Sequence, residues 1–223
     1  MKGTLRLSLF VAIVSLAGAF GLTGCGSVLQ GEHKEKQRIT EPELVLCYGE
    51  VNQEGHIMTD SAKYFAGRVE ELSGGRITVE IYPSGQMGDD AQCYEAMKMG
   101  ALDLYRGNSA SLAECGDLMI SALALPYIFR DREHFWKVCR SDLGKKILED
   151  IQNHNTGMIG LAYLDEGARN FFTTDSPVRR LEDMKNRKIR MQISDLMEDT
   201  VAALGAEAVP ISYAELYTAL ESG

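Results

Sequence analysis

The chain has 223 residues, 45% hydrophobic and 25% charged, which is enough for one large or two modest globular domains. Its formal charge is −9 at pH 7. That acidic balance argues against a nucleic-acid partner and leaves any anionic ligand to be caught by local positive groups.

At the N-terminus, Lys2 and Arg6 precede an almost wholly apolar or small run from Leu7 to Phe20, which ends in Leu22-Thr23-Gly24-Cys25. Charge and length are those of a secretion signal over residues 1–24. Gly18, Gly21 and Gly24, with the short apolar length, argue against an uncleaved membrane anchor. The end of the run resembles a lipobox, which implies that Cys25 is lipidated and holds the protein at an extracytoplasmic membrane surface. Removing residues 1–24 takes away two basic residues and no acidic ones, so 21 Lys and Arg then face 32 Asp and Glu, a formal −11. Residues 25–42 are polar and aperiodic, the composition of a flexible tether.

Leu44–Tyr48 is a short apolar run suited to a buried first strand. A polar loop from Gly49 to His56 follows. Then Ile57, Ala62, Phe65, Ala66, Val69 and Leu72 recur at helical spacing, closed by Gly74-Gly75. Arg76–Tyr82 alternates Ile77, Val79 and Ile81 with polar neighbours, a second strand. Strand, helix, strand predicts parallel pairing with a right-handed crossover. A turn containing Gly85 and Gly88 delivers Asp89 as the N-cap of a helix running to Met99. Ala101–Leu104 is then a third strand and completes a second βαβ unit.

In open α/β sheets, ligands sit beyond the carboxyl ends of strands. That rule selects Asn108 and Ser109 after the third strand, and Glu50 and Asn52 after the first, as candidate polar contacts; satisfied surface turns are the alternative. Helices are expected from Asp131 and from Ser141 to about His154. Met158–Tyr163 reads as a strand leading into the most informative stretch, Leu164 to Gln192. There Arg169 precedes Phe171-Phe172, and Arg190 lies within a short strand, Lys188-Ile189-Arg190-Met191. A guanidinium beside apolar strand positions is costly to desolvate unless an anion meets it. A ligand carboxylate fits, because the Arg fork can grip it with two parallel hydrogen bonds. The competing reading is a pair of internal salt bridges, for which 32 acidic residues are on hand. Past Gln192, Ser194 can cap a helix through Leu204. Ala208-Val209-Pro210 is a brief strand, and Ser212 with Glu215 has the spacing of a capping box that begins a last helix.

Several of these stretches carry a family resemblance. G-x-R before an apolar pair, then D-M-K and K-I-R-M, resembles the core of TRAP transporter solute-binding proteins of the dicarboxylate-binding type. Y-P-S-G-Q-M-G (Tyr82 to Gly88), L-P-x-x-F (Leu125 to Phe129) and V-P followed by S-x-x-E-x-Y-x-A-L (Val209 to Leu220) agree with it. The resemblance covers nearly all of residues 44–223, about two-thirds of a usual member. It implies a two-lobed α/β fold of the periplasmic-binding-protein type II class, with a first lobe over 43–163 and an incomplete second lobe over 164–223. It also implies an organic-acid ligand carried to the small and large membrane subunits of a TRAP transporter. In that family the Arg matching Arg190 pairs with the substrate carboxylate and the one matching Arg169 helps. Glu50, Asn52, Asn108 and Glu166 point to hydroxyl-rich acids such as uronates. No cofactor is expected.

Two other functions compete. A secreted hydrolase would need His33, His56, His134 or His154 with partners, but no G-x-S-x-G elbow or H-E-x-x-H pair is present. An extracytoplasmic sensor domain would use the same pocket. Cys47, Cys93, Cys115 and Cys139 are spaced 46, 22 and 24 residues apart, unlike a zinc site, which wants close pairs. They could form two disulfides or stay as buried thiols, and the sequence leaves both states standing.

Overall fold

The computed structural model describes residues 41–116, 119–174 and 176–222. The expected signal segment, Cys25 and most of the tether lie outside them. The described residues hold together as one compact unit carrying two separate parallel sheets.

The first sheet contains β1 (Leu44–Gly49), β2 (Ile77–Tyr82) and β3 (Leu104–Tyr105) in the order β2-β1-β3. Both pairings are parallel, as the strand-helix-strand order requires. Helix α1 (Ile57–Ser73) makes the first crossover and α2 (Asp90–Lys98) the second. Tyr48, Ala62 and Val79 form the core between β1, α1 and β2. Gly74 takes a left-handed conformation at the end of α1, as a glycine there permits. Asp89 caps α2 in a full capping box with Gln92, the two-bond arrangement that satisfies orphan helix-end donors. Gly88 before it has φ +101, and a Cβ there would lie 2.4 Å from Gln92 Oε1, so the turn excludes a side chain. The third strand is shorter than Ala101–Leu104: only Leu104 and Tyr105 pair with β1.

A second core joins Tyr94 of α2 and Ile120 to Ile147 and Ile151 of α5 (Asp142–Asn153) and to Met158. Helix α4 (Arg132–Cys139) starts at Asp131 and α5 at Ser141, each side chain accepting a bond from the backbone three residues on.

Met158–Tyr163, expected as a strand, is not one. Met158 is buried, Ile159, Leu161 and Ala162 are exposed, and Tyr163 donates to Gly144 O at 2.6 Å. No neighbouring strand bonds to the segment among the described residues, and an apolar run without a partner does not make a ladder.

The second sheet pairs β4 (Lys188–Met191) with β5 (Glu207–Pro210), connected by α6 (Asp195–Ala203). Ile189 and Met191 of β4 pack with Met197 and Val201 of α6, and Ala110 of α3 (Ser109–Ala113) belongs to the same cluster. The two sheet regions thus meet at α3, where Ser194 Oγ donates to Ala110 O at 3.2 Å and Asp195 N donates to Glu114 Oε1 at 2.9 Å. Ser194 stands at the N-cap of α6 but spends its hydroxyl on this contact. Ser212 Oγ reaches Glu215, although the last helix, α7 (Leu216–Ser222), begins only after that turn.

Candidate functional site

The residues picked out by the strand-end rule do come to the ends of the strands, but they are bound up differently from one another. The parallel register sets Gly49 opposite Tyr105, which places Glu50 beside Arg106. Glu50 is 1% exposed. Arg106 Nε donates to Glu50 Oε2 at 2.9 Å and Nη2 to Oε1 at 2.8 Å, the two-pronged grip of a guanidinium on a carboxylate. Asn52 adds its backbone N–H at 2.9 Å and its Nδ2 at 2.8 Å to the same Oε1. Burial works to raise the Glu50 pKa, yet the Arg106 bonds and charge and the Asn52 bonds outweigh it and hold the carboxyl below its ordinary range. Burial likewise disfavours the Arg106 cation, but Glu50 reverses that and its pKa is raised. Arg106 was not singled out by the sequence. Gly107 next to it lies so close to Tyr94 that a Cβ would fall 2.2 Å from the phenol oxygen, so the loop is seated on that ring.

Asn108 is the N-cap of α3, its Oδ1 accepting from Ala110 N at 2.9 Å. Ser109 opens the helix, and its hydroxyl makes no hydrogen bond among the described residues. Asp90, at the start of α2, accepts from Tyr105 Oη and, at 2.8 Å, from Ser111 Oγ. Of the first-lobe residues, Glu50 is thus gripped by Arg106 and Asn52 is bonded to Glu50, while Asn108 has its oxygen committed to a helix cap.

The stretch from Leu164 to Arg169 runs between these groups and the second sheet. Asp165 accepts from Arg132 Nε at 2.6 Å and Trp136 Nε1 at 3.2 Å, which ties the stretch to α4. Glu166 reaches the other way, with Oε2 3.8 Å from Arg106 Nη1 and Oε1 3.6 Å from His56 Nε2. His56 meanwhile caps α1, its Nδ1 accepting from Met58 N. Arg169 Nη2 donates to Gln192 Oε1 at 2.8 Å.

Arg190 lies in β4, with Met191 and Ile189 on the buried side of the strand. Its Nε donates to Ile211 O at 2.9 Å. Its Nη2 is buried and has no hydrogen-bond partner among the described residues. Burial is the larger cause that lowers its pKa, and the nearby Arg169 adds to it; Asp90 and Tyr213 oppose this more weakly. Neither Arg169 nor Arg190 forms a salt bridge with a carboxylate among the described residues. An unpaired buried donor costs about 1–3 kcal/mol, and more when it carries charge. The expectation of internal salt bridges therefore fails for this pair.

Two surface hollows lie elsewhere: one along α4, lined by Trp136, Arg140 and neighbours, and one along α1, lined by Tyr64, Phe65, Leu164 and neighbours. The first is an open face where Arg140 stacks over the Trp136 ring at 5.1 Å, and neither contains Arg169 or Arg190. Chemistry favours the buried, unsatisfied cation over these shallow hollows. The four cysteines are free. Burial pushes the Cys93 thiol up to about 11, with Asp90 and Asp89 adding to it, so it is a poor nucleophile. No cluster of metal-ligating side chains occurs among the described residues.

The model of the family described as bacterial extracellular solute-binding protein, family 7, matches residues 48–223. The C4-dicarboxylate-binding periplasmic protein DctP of Rhodobacter capsulatus is 31% identical over 162 residues, covering 73% of this chain and 48% of that protein. A TRAP periplasmic solute-binding protein from Xanthobacter autotrophicus Py2, solved with bound β-D-galacturonate, is 34% identical with a TM-score of 0.75, over 80% of this chain and 58% of its own. Another, from Sulfurospirillum deleyianum with bound succinate, is 26% identical with a TM-score of 0.76, over 82% and 58%. The chain thus spans about half the length of the relatives it matches. Over that part, the two-lobed type II α/β architecture expected from the sequence is shared with them.

Proposed function

Because the chain belongs to the bacterial extracellular solute-binding proteins of family 7, we propose that it captures a small organic acid between a first lobe, residues 43–163, and a second, residues 164–223. The acid is then handed to the small and large membrane subunits of a TRAP-type secondary transporter. The role is binding and delivery, with no covalent step. The observation that carries this reading is the buried Nη2 of Arg190, which has no partner of its own. A ligand carboxylate would accept from Nη2, relieve the crowding of Arg190 by Arg169, and add a second charge-assisted bond from Arg169. A ligand touching both lobes favours whichever arrangement lets it make all of its contacts, which is the driving force for hinge closure in such proteins. Ser109, with an unused hydroxyl, and the Nδ2 of Asn108 are the first-lobe groups still free to complete the cage.

Uronates and related hydroxy acids suit the polar first-lobe rim, and relatives solved with galacturonate and glucuronate support that choice. We place the protein outside the cytoplasm, held to the membrane through a lipidated Cys25; the basic start, apolar run and terminal Cys of residues 2–25 support the anchor. Calorimetry with a panel of organic acids tests the function. At least one acid should bind, and Arg190→Ala should weaken it by roughly 30-fold to several thousand-fold, or about 2–5 kcal/mol. Equal affinity in the two proteins would dispose of the Arg190 clamp.

A further inference from the structure

We propose that Glu166 is a specificity-determining residue which makes the site reject acids carrying a second carboxylate and accept those carrying hydroxyls in its place. The inference rests on the reading of the site as an organic-acid binder and concerns the end of the ligand remote from Arg190. Arg106 is the cation of the first-lobe rim, but Glu50 already takes its Nε and Nη2. Its Nη1 edge faces Glu166 at 3.8 Å, beyond hydrogen-bond length. Two carboxylates therefore surround one guanidinium, and the trio carries a net negative charge.

The two ends of the site thus differ in sign. At Arg190 and Arg169, two cations lack a matching anion. At Arg106, acids outnumber the base. A carboxylate at the Arg106 end would be repelled by Glu166, whereas a hydroxyl can donate to Glu166 and accept from Arg106 Nη1 without a charge conflict. Glu166 retains acceptor capacity for this, since its contacts with Arg106 at 3.8 Å and His56 at 3.6 Å are longer than hydrogen bonds. It also stands three residues before Arg169 with Gly167 at φ +98 between them, so it belongs to the turn that presents the second cation.

The test compares D-glucuronate with D-glucarate, which have the same six-carbon chain but one and two carboxylates. Affinities of wild type and Glu166→Gln are measured by calorimetry at pH 8, to keep histidine charge out of the comparison. The wild type should prefer glucuronate by about tenfold or more, and Glu166→Gln should shrink that ratio by about fivefold, chiefly through tighter glucarate binding. The proposal is overturned if the wild type favours glucarate, if the ratio is the same in the variant, or if some other acid binds while neither of these does. In all three cases the organic-acid reading stands. Binding of no acid at all would remove that reading and this inference with it.

Discussion

Arg106 and Arg190 both lie at parallel strands, one just after β3 and the other within β4, and both are largely enclosed by protein. They differ in what neutralises them. Arg106 has a buried carboxylate of its own, matched in geometry and supported by Asn52. Among the described residues, Arg190 has a backbone carbonyl on one nitrogen and nothing on another, with a second arginine close by. The same residue type is thus an internal tie in the first sheet region and an unmet demand in the second. An arginine that its own fold has satisfied is costly to strip of its partner, whereas one left unsatisfied is disposed towards a ligand.

The sharpest way to break this contrast is on the Arg106 side. Glu50→Ala would leave a buried guanidinium uncompensated and should cost about 3–5 kcal/mol of folding stability in urea denaturation. A midpoint that does not move would mean that the first region tolerates a bare arginine as readily as the second, and the contrast would collapse. A gentler probe is pH. The Glu50 carboxyl is held below its ordinary value of 4.5 in the folded chain. Its stabilisation is therefore complete above that value and is lost as pH falls through the lower folded value. Thermal unfolding should show wild type losing stability through the acid range, and Glu50→Gln should show a flatter acid limb. Parallel acid limbs in the two proteins would place the acid sensitivity elsewhere.

Much of this was readable in the sequence where the signal is local. The periodicity of Ile57 to Leu72, the capping residues Asp89, Asp131 and Ser141, and the K-I-R-M strand each depend on neighbours within a few residues. Arg169 and Arg190 stood out because an apolar setting for a guanidinium is visible in the adjoining letters. The Glu50–Arg106 pair was missed because its members are 56 residues apart. A usable signal existed: two parallel strands around β1 in the register Gly49 to Tyr105 bring the next residues, Glu50 and Arg106, side by side. Asn108 has a second use that the sequence did not show, since a polar residue at a strand end serves equally as a helix cap through its Oδ1. Met158–Tyr163 has the short apolar run of a strand but no bonded neighbour among the described residues, and pairing is a property that no single segment can display.

The most direct measurement is a crystal structure of the protein with its tightest-binding acid. The account predicts a ligand carboxylate oxygen within hydrogen-bond distance of Arg190 Nη2, with the Glu50–Arg106 grip unchanged. An acid bound elsewhere while Nη2 stays bare, or a carboxylate of the protein itself swung onto Arg190, would contradict it.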